Sequence, residues 1–133
     1  MSYNIEIFEM VLSKEPSDVK RIEILTTHIH EIMGMYNKEI VGHLSLDIFD
    51  EYTAITWVYV EPTHRNKGIA SRMIEKSWEI TQEKGLNLLG LVVDKSPIQE
   101  ELMRFYIKKG FKIVPQIFGS ENGSIEMYKK KKE

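Results

Sequence analysis

Apolar and polar residues alternate through the middle of the chain, and the alternation marks strands. Ile40, Gly42, Leu44, Leu46 and Ile48 interleave with Val41, His43, Ser45 and Asp47, the period of two expected of a half-buried strand. His28 to Tyr36 reads as the strand before it, with Asn37-Lys38 as the turn. Thr53 to Val60 reads as the strand after, entered through Asp50-Glu51. Turns this short join only antiparallel neighbours, so the stretch predicts a meander. The period then changes. Ala70, Met73, Ile74, Ser77, Trp78 and Thr81 recur at spacings of three and four, predicting a helix from about Gly68 to Lys84 with Gly85 at its C-terminal stop. Leu88 to Val93 is nearly continuous apolar sequence, as in a strand covered on both faces. Strand, crossover helix and strand form a βαβ unit, so 53–60 and 88–93 are expected to run parallel.

Both ends carry further signals. Ser96-Pro97-Ile98-Gln99 predicts a helix start, with Ser96 as N-cap, Pro97 at the first helical position and Gln99 closing a capping box. Glu100 and Glu101 suit the positive end of that helix, Lys108 and Lys109 its negative end, and Gly110 its stop. Phe111, Ile113, Ile125 and Met127 suggest a last hairpin around 119–123, and Lys129 to Lys132 reads as a solvated tail. At the N-terminus, Tyr3, Ile5 and Ile7 alternate as a first strand. Ser17 or Asp18 can cap a helix to about Thr27 through Val19, Ile22 and Leu25, although Ile22 and Ile24 also fit a strand.

Composition narrows the classes. The chain has 133 residues, one domain of ordinary size spanning 1–133. Hydrophobic residues make up 42% and charged residues 29%, which suffices for a buried core. A net charge of -2 argues against a general nucleic-acid binder. With no cysteine, disulfides, a thiolate nucleophile and cysteine-ligated zinc are excluded. The N-terminal ten residues lack the basic and apolar regions of a signal peptide, and no apolar run approaches the roughly 20 residues of a membrane span. A cytoplasmic protein that binds neither nucleic acid nor membrane, and no metal, is the expectation.

The chemistry concentrates in Val58 to Arg72, VYVEPTHRNKGIASR. A strand broken by Pro62 leads into the basic loop His64-Arg65-Asn66-Lys67 and then into Gly68-Ile69-Ala70 at a helix start. The first N–H groups of a helix have no internal partner and carry the positive end of its dipole. A glycine there lets an anion approach the backbone, and Arg65, Lys67 and Arg72 add mobile positive charge. This is neither a Walker P-loop nor the GxGxxG fingerprint.

Arg65-Asn66-Lys67-Gly68-Ile69-Ala70 matches the R/Q-x-x-G-x-G/A signature of the GNAT superfamily of N-acetyltransferases. Val60-Glu61-Pro62 matches the V-x-P before it, and Phe105-Tyr106-Ile107-Lys108-Lys109-Gly110-Phe111 resembles the L-Y-x-x-x-G-F element downstream. The similarity covers about residues 29 to 128 by element order. It implies a mixed α/β (α+β) fold: a mostly antiparallel central sheet with a βαβ core and helices on both faces. The N-terminal helical region is shortened, with room for about one helix where the family has two. The resemblance further implies acetyl-CoA as cofactor. Its pyrophosphate would lie on the backbone amides of Asn66, Lys67, Gly68, Ile69, Ala70 and Ser71, beside Arg65. Its pantetheine arm would lie along Val58, Tyr59 and Val60 like an added strand. Gln99 stands where many members carry a coenzyme-contacting Asn.

Acyl transfer to an amine needs an unprotonated amine, a stabilised oxyanion and a proton for the departing thiolate. A lysine amine has a pKa of about 10.4, so a base or a desolvating site is required. A backbone N–H near Val60 is the natural oxyanion donor. Tyr106 is the candidate acid, because a phenol keeps its proton at neutral pH; as a helix residue with its ring in the core it would look the same. Asp94, at the C-terminal end of strand 88–93, is the first candidate base, its alternative being an aspartate that starts a loop. Glu61 is the weaker candidate. His28 and His30 read as ordinary strand residues. Met33, Met35 and Trp57 either pack the sheet or line an acceptor pocket. The expected activity is direct transfer of an acetyl group from acetyl-CoA to the primary amine of a small molecule or peptide. The rival is a non-catalytic module that senses acyl-CoA or docks to a partner. The acceptor and a homodimeric state stay open.

Overall fold

The computed structural model describes residues 21–65, 67–115 and 123–132. Seven strands form one sheet among these residues: β1 (Ile22–Thr26), β2 (Glu31–Tyr36), β3 (Glu39–Ile48), β4 (Thr53–Val60), β5 (Leu88–Val93), β6 (Lys112–Ile113) and β7 (Ile125–Lys130). Helix α1 (Ile69–Glu83) joins β4 to β5, and helix α2 (Gln99–Lys108) follows β5. The strand order is β1-β2-β3-β4-β5-β7-β6. Every neighbouring pair is antiparallel except β4 and β5.

The β2–β3 turn shows why the meander closes so tightly. Asn37 and Lys38 both take positive φ, 49° and 68°, the mirror-image turn whose twist matches that of paired strands. Side-chain phase then sorts the sheet into two faces. Ile32, Leu44, Val58, Val60 and Leu89 are fully buried on one of them. Against this face α1 buries Ile69, Ala70, Met73, Ile74, Ser77, Ile80 and Thr81. Polar contacts fix its rotation: Thr53 Oγ1 and Thr81 Oγ1 are 2.6 Å apart, and Thr81 donates to the Ser77 carbonyl at 2.8 Å. Both hydroxyls are thus satisfied inside the core, which removes the desolvation penalty of burying them. Helix α2 lies beside α1, burying Leu102 and Tyr106. The opposite face carries no helix among the described residues.

Several expectations change. Ile22–Thr26 is a strand, so that part of the proposed 17–27 helix is corrected. Ile22, Glu23, Ile24, Leu25 and Thr26 pair with Tyr36 back to Ile32, and a free sheet edge outweighs a weak three-residue spacing. The strand at Tyr3–Ile7, the cap at Ser17 or Asp18, and a helix on the second face there lie outside the described residues. His28 and His30 are not on a strand but in the β1–β2 turn, where His30 has φ 64°. Helix α2 starts at Gln99 with Ile98 as its N-cap, so the capping box does not form. Instead Ser96 Oγ accepts from the Ile98 N–H at 3.3 Å, and the Gln99 side chain reaches elsewhere. Lys129 is in β7, its ammonium 5.0 Å from the centre of the Trp78 ring, rather than in a solvated tail. The loop at 116–122 lies outside the described residues.

Candidate active site

The parallel pair β4–β5 is bonded at only two positions, Thr53↔Leu89 and Ala54↔Gly90, although the strands continue to Val60 and Val93. A bulge explains the parting. Ser45 pairs with Trp57 and Leu46 with Ile55, leaving Thr56 as an extra residue in β4. An extra residue bends the strand and increases its twist, so β4 turns away from β5 just beyond their second rung. The C-terminal halves of two parallel strands therefore face each other across a gap, the place where ligands collect in such sheets. On the helix-free face the gap begins as a cleft of about 520 Å³ lined by Tyr52, Thr56, Gly90, Val92, Glu126 and Tyr128 among others.

Past Val60 the chain is tied down before it enters α1. Glu61 N–H donates to the Val41 carbonyl at 2.7 Å, and Pro62–His64 make one 3-10 turn. Arg65 Nε donates to the Val60 carbonyl at 2.9 Å. Gly68 caps α1 with φ 82°, a left-handed conformation that a side chain disfavours. The first turn of α1 contains no acidic residue, so no carboxylate of that turn competes with an anion for the helix's first N–H groups. The cations are less mobile than the sequence implied, and that reading is corrected. Arg72 Nη1 donates to the Ile22 carbonyl at 3.1 Å, Arg65 holds Val60, and Lys67 Nζ lies 4.8 Å from the centre of the Tyr36 ring. Arg65 and Lys67 hold the loop to β4 and β2, and Arg72 holds the first turns of α1 to β1. Asn66 is outside the described residues.

Two elements approach from the β5 side. Gln99 Nε2 donates to the carbonyls of Val93 at 3.2 Å and Gly123 at 2.9 Å, so it holds the end of β5. Asp94 follows β5 and is exposed. Tyr106 is 3% exposed, its ring 5.2 Å from that of Phe105 and 5.5 Å from that of Phe111. Arg65 thus ties the end of β4 to the loop before α1, the side chains of Val58, Val60, Ile69 and Ala70 are buried in the core, Gln99 and Asp94 stand at the end of β5, and Tyr106 is buried on α2.

Sequence reasoning passed over two groups. Lys109 Nζ donates to Ser71 Oγ in the first turn of α1 and lies 3.3 Å from Glu75 Oε1. Beside it, burial holds the Lys129 ammonium below the ordinary lysine range; Glu75 opposes that shift and Lys109 adds to it. On the helix-free face, His43 Nε2 and Glu31 Oε2 are 2.8 Å apart, a pairing made by the register between β2 and β3. No cluster of three or more His, Asp or Glu able to hold a metal occurs among the described residues, and none of their helices is long and apolar enough to cross a membrane.

A family model described as the Acetyltransferase (GNAT) family matches residues 2–111. The chain belongs to the GNAT acetyltransferase family. No curated protein matches it significantly. Among solved structures, a GNAT acetyltransferase from Elizabethkingia anophelis with acetyl-CoA bound is 20% identical, with TM-score 0.64, covering 91% of this chain and 87% of that one. The ribosomal-protein-S18-alanine N-acetyltransferase of Escherichia coli is 14% identical, with TM-score 0.65 and coverages of 89% and 90%. PaiA N-acetyltransferase from Thermoplasma acidophilum, solved in complex with coenzyme A, is 21% identical with TM-score 0.64. The match covers 76% of this chain and 60% of the PaiA chain, so the GNAT domain described here spans less than two thirds of that relative. The gapped β4–β5 pair and the glycine-capped α1 therefore sit in a GNAT fold.

Proposed function

We propose that the protein is a single-domain cytoplasmic acetyltransferase that moves an acetyl group from acetyl-CoA to a primary amine of a small molecule or peptide, directly and within a ternary complex. The observation that carries this reading is the β4–β5 gap: it runs toward the acid-free start of α1 and opens as a cleft on the other face. Coenzyme and acceptor then have separate approaches, as direct transfer requires. Bound acetyl-CoA supplies the activated thioester. The β4 backbone from Val58 to Val60, released from β5, can bond its pantetheine arm as a strand would. The N–H groups from Asn66 to Ser71 would take the pyrophosphate, and a backbone N–H near Val60 would face the developing oxyanion. Gln99 fixes the far wall by holding Val93. Tyr106 is the proposed proton donor to the leaving thiolate, and Asp94 the proposed base for the amine.

One observation favours the second reading, an acyl-CoA-binding module without turnover. Tyr106 is 3% exposed within an aromatic cluster, a setting that suits a packing role. A thermal-shift series with acetyl-CoA, ATP and NAD, followed by free-thiol release over an amine panel, tests both. Acetyl-CoA at a hundredfold excess over its dissociation constant should stabilise by about 2.7 kcal/mol, with ATP and NAD doing much less. Equal stabilisation by ATP removes the coenzyme assignment, and binding without thiol release on any amine favours the module.

A further inference from the structure

The phosphate-binding end of α1 has a second neighbour that the family motif does not name. Ser71, the third residue of α1, faces α2, and the ammonium that meets its hydroxyl comes from Lys109, just past the last turn of α2. We infer that Lys109 is a phosphate ligand of the coenzyme site, presenting its charge to the coenzyme's phosphates from the α2 side of the helix start. The inference rests on the acetyl-CoA reading above.

Three features support it. An ammonium has three donors, of which Ser71 Oγ and Glu75 Oε1 take two. The Glu75 contact is long, at 3.3 Å, and its carboxylate is 60% exposed. A surface pair of that kind contributes little, so a phosphate can displace it. Second, the lysine stem is braced: Lys109 Nζ lies 5.5 Å from the centre of the Phe105 ring, so the charge is held near the helix start without being sealed from solvent. Third, Lys109 is joined by a second ammonium, Lys129, in a cleft of about 260 Å³ that Ile74, Glu75, Trp78, Glu79 and Phe111 line along the second and third turns of α1. Arg65 and Lys67 hold the loop to the sheet and Arg72 the first turns of α1, whereas Lys109 arrives from a different element and answers to an exposed carboxylate. The chemistry recognised is a phosphate ester, carried by the coenzyme as both a pyrophosphate and a 3′-phosphate.

Calorimetric titration of Lys109→Met with acetyl-CoA and with acetyl-dephospho-CoA, which lacks the 3′-phosphate, tests the assignment. Met keeps the apolar stem and removes the charge. Loss of one charge-assisted contact should weaken acetyl-CoA about tenfold, with the melting temperature within about 2 °C of the parent and Lys109→Arg retaining most of the affinity. A loss confined to acetyl-CoA places Lys109 on the 3′-phosphate; an equal loss with both places it on the pyrophosphate. Lys109→Gln, which keeps a donor for Ser71, reads the same way if the Met variant is unstable. Affinities within twofold of the parent for both ligands overturn the assignment, as does a loss that Lys109→Arg shares along with a lowered melting temperature. A parent protein that binds neither ligand refutes the coenzyme reading itself, a result distinct from these.

Discussion

Gly34→Ala tests whether the helix start and the sheet are built as one unit. Gly34 lies in β2, opposite Gly42 in β3, beneath the first turn of α1. A methyl group there would overlap Ile69 Cγ2 and meet Met73 Sδ at 3.2 Å. Ile69 is fully buried and opens α1, and a β-branched side chain has little rotamer freedom in a helix. The first turn must therefore move outward. Overpacking of this kind costs about 1–3 kcal/mol. At about 4 °C per kcal/mol for a chain of this size, the melting temperature should fall by about 4–12 °C. The same displacement moves the N–H groups of Ile69 to Ser71, so acetyl-CoA affinity should drop by about tenfold. Gly90→Ala is the control: in β5 its nearest atoms are the carbonyls of Met127 and Thr53, both 3.8 Å away, ordinary contact distance, and it should melt within about 2 °C of the parent. Differential scanning calorimetry and titration on both variants give the answer. A Gly34→Ala protein with parental melting temperature and affinity would refute the close-approach argument.

Gly68→Asp places a carboxylate and a Cβ at the positive-φ cap of α1. Cofactor binding should fall steeply in a folded protein, and unchanged affinity by titration would mean the phosphates lie elsewhere. Tyr106→Phe keeps the buried ring; if the phenol is the acid, turnover drops by about 10²–10⁴ with coenzyme affinity nearly constant, while a loss below about threefold in a stable variant ends that role. Lys129→Met reports on burial. The folded-state pKa of Lys129 lies below the ordinary 10.5, so the charged form opposes folding at lower pH and the penalty fades as pH rises through the folded pKa toward 10.5. The variant should melt above the parent at pH 7 and the difference should shrink by pH 10; a pH-independent difference contradicts the sign.

The meander and the βαβ unit were legible because each residue choice there points one way. Thr53–Val60 and Leu88–Val93 are observed at the expected bounds, since Pro62 and Gly85 punctuate them. The pattern of Ile22–Thr26 fits either a helix or a strand, and what decides it is β2, a partner that no local window contains. Ser96 and Gln99 have the right spacing for a capping box, yet the Val93 and Gly123 carbonyls claim the Gln99 amide. The start of α1 could be read from Gly68 and the helical spacing that follows it. Neither the parting of β4 from β5 nor the Lys109–Ser71 contact could be, because a bulge shows only against its neighbouring strand and that contact joins residues 38 apart in sequence.

The two-rung ladder makes the sheet a pair of slabs with a seam. Seven register pairs stitch β3 to β4 and six stitch β5 to β7, against two across the join. Backbone bonding alone therefore couples β1–β4 only weakly to β5–β7, and the coupling falls to the helices, where Thr81 reaches Thr53 and Lys109 reaches Ser71. A pantetheine arm laid along β4 would act as mortar in that seam. Occupancy of the active site would then set the stiffness of the whole sheet, and the two slabs would drift or lock together according to the supply of acetyl-CoA.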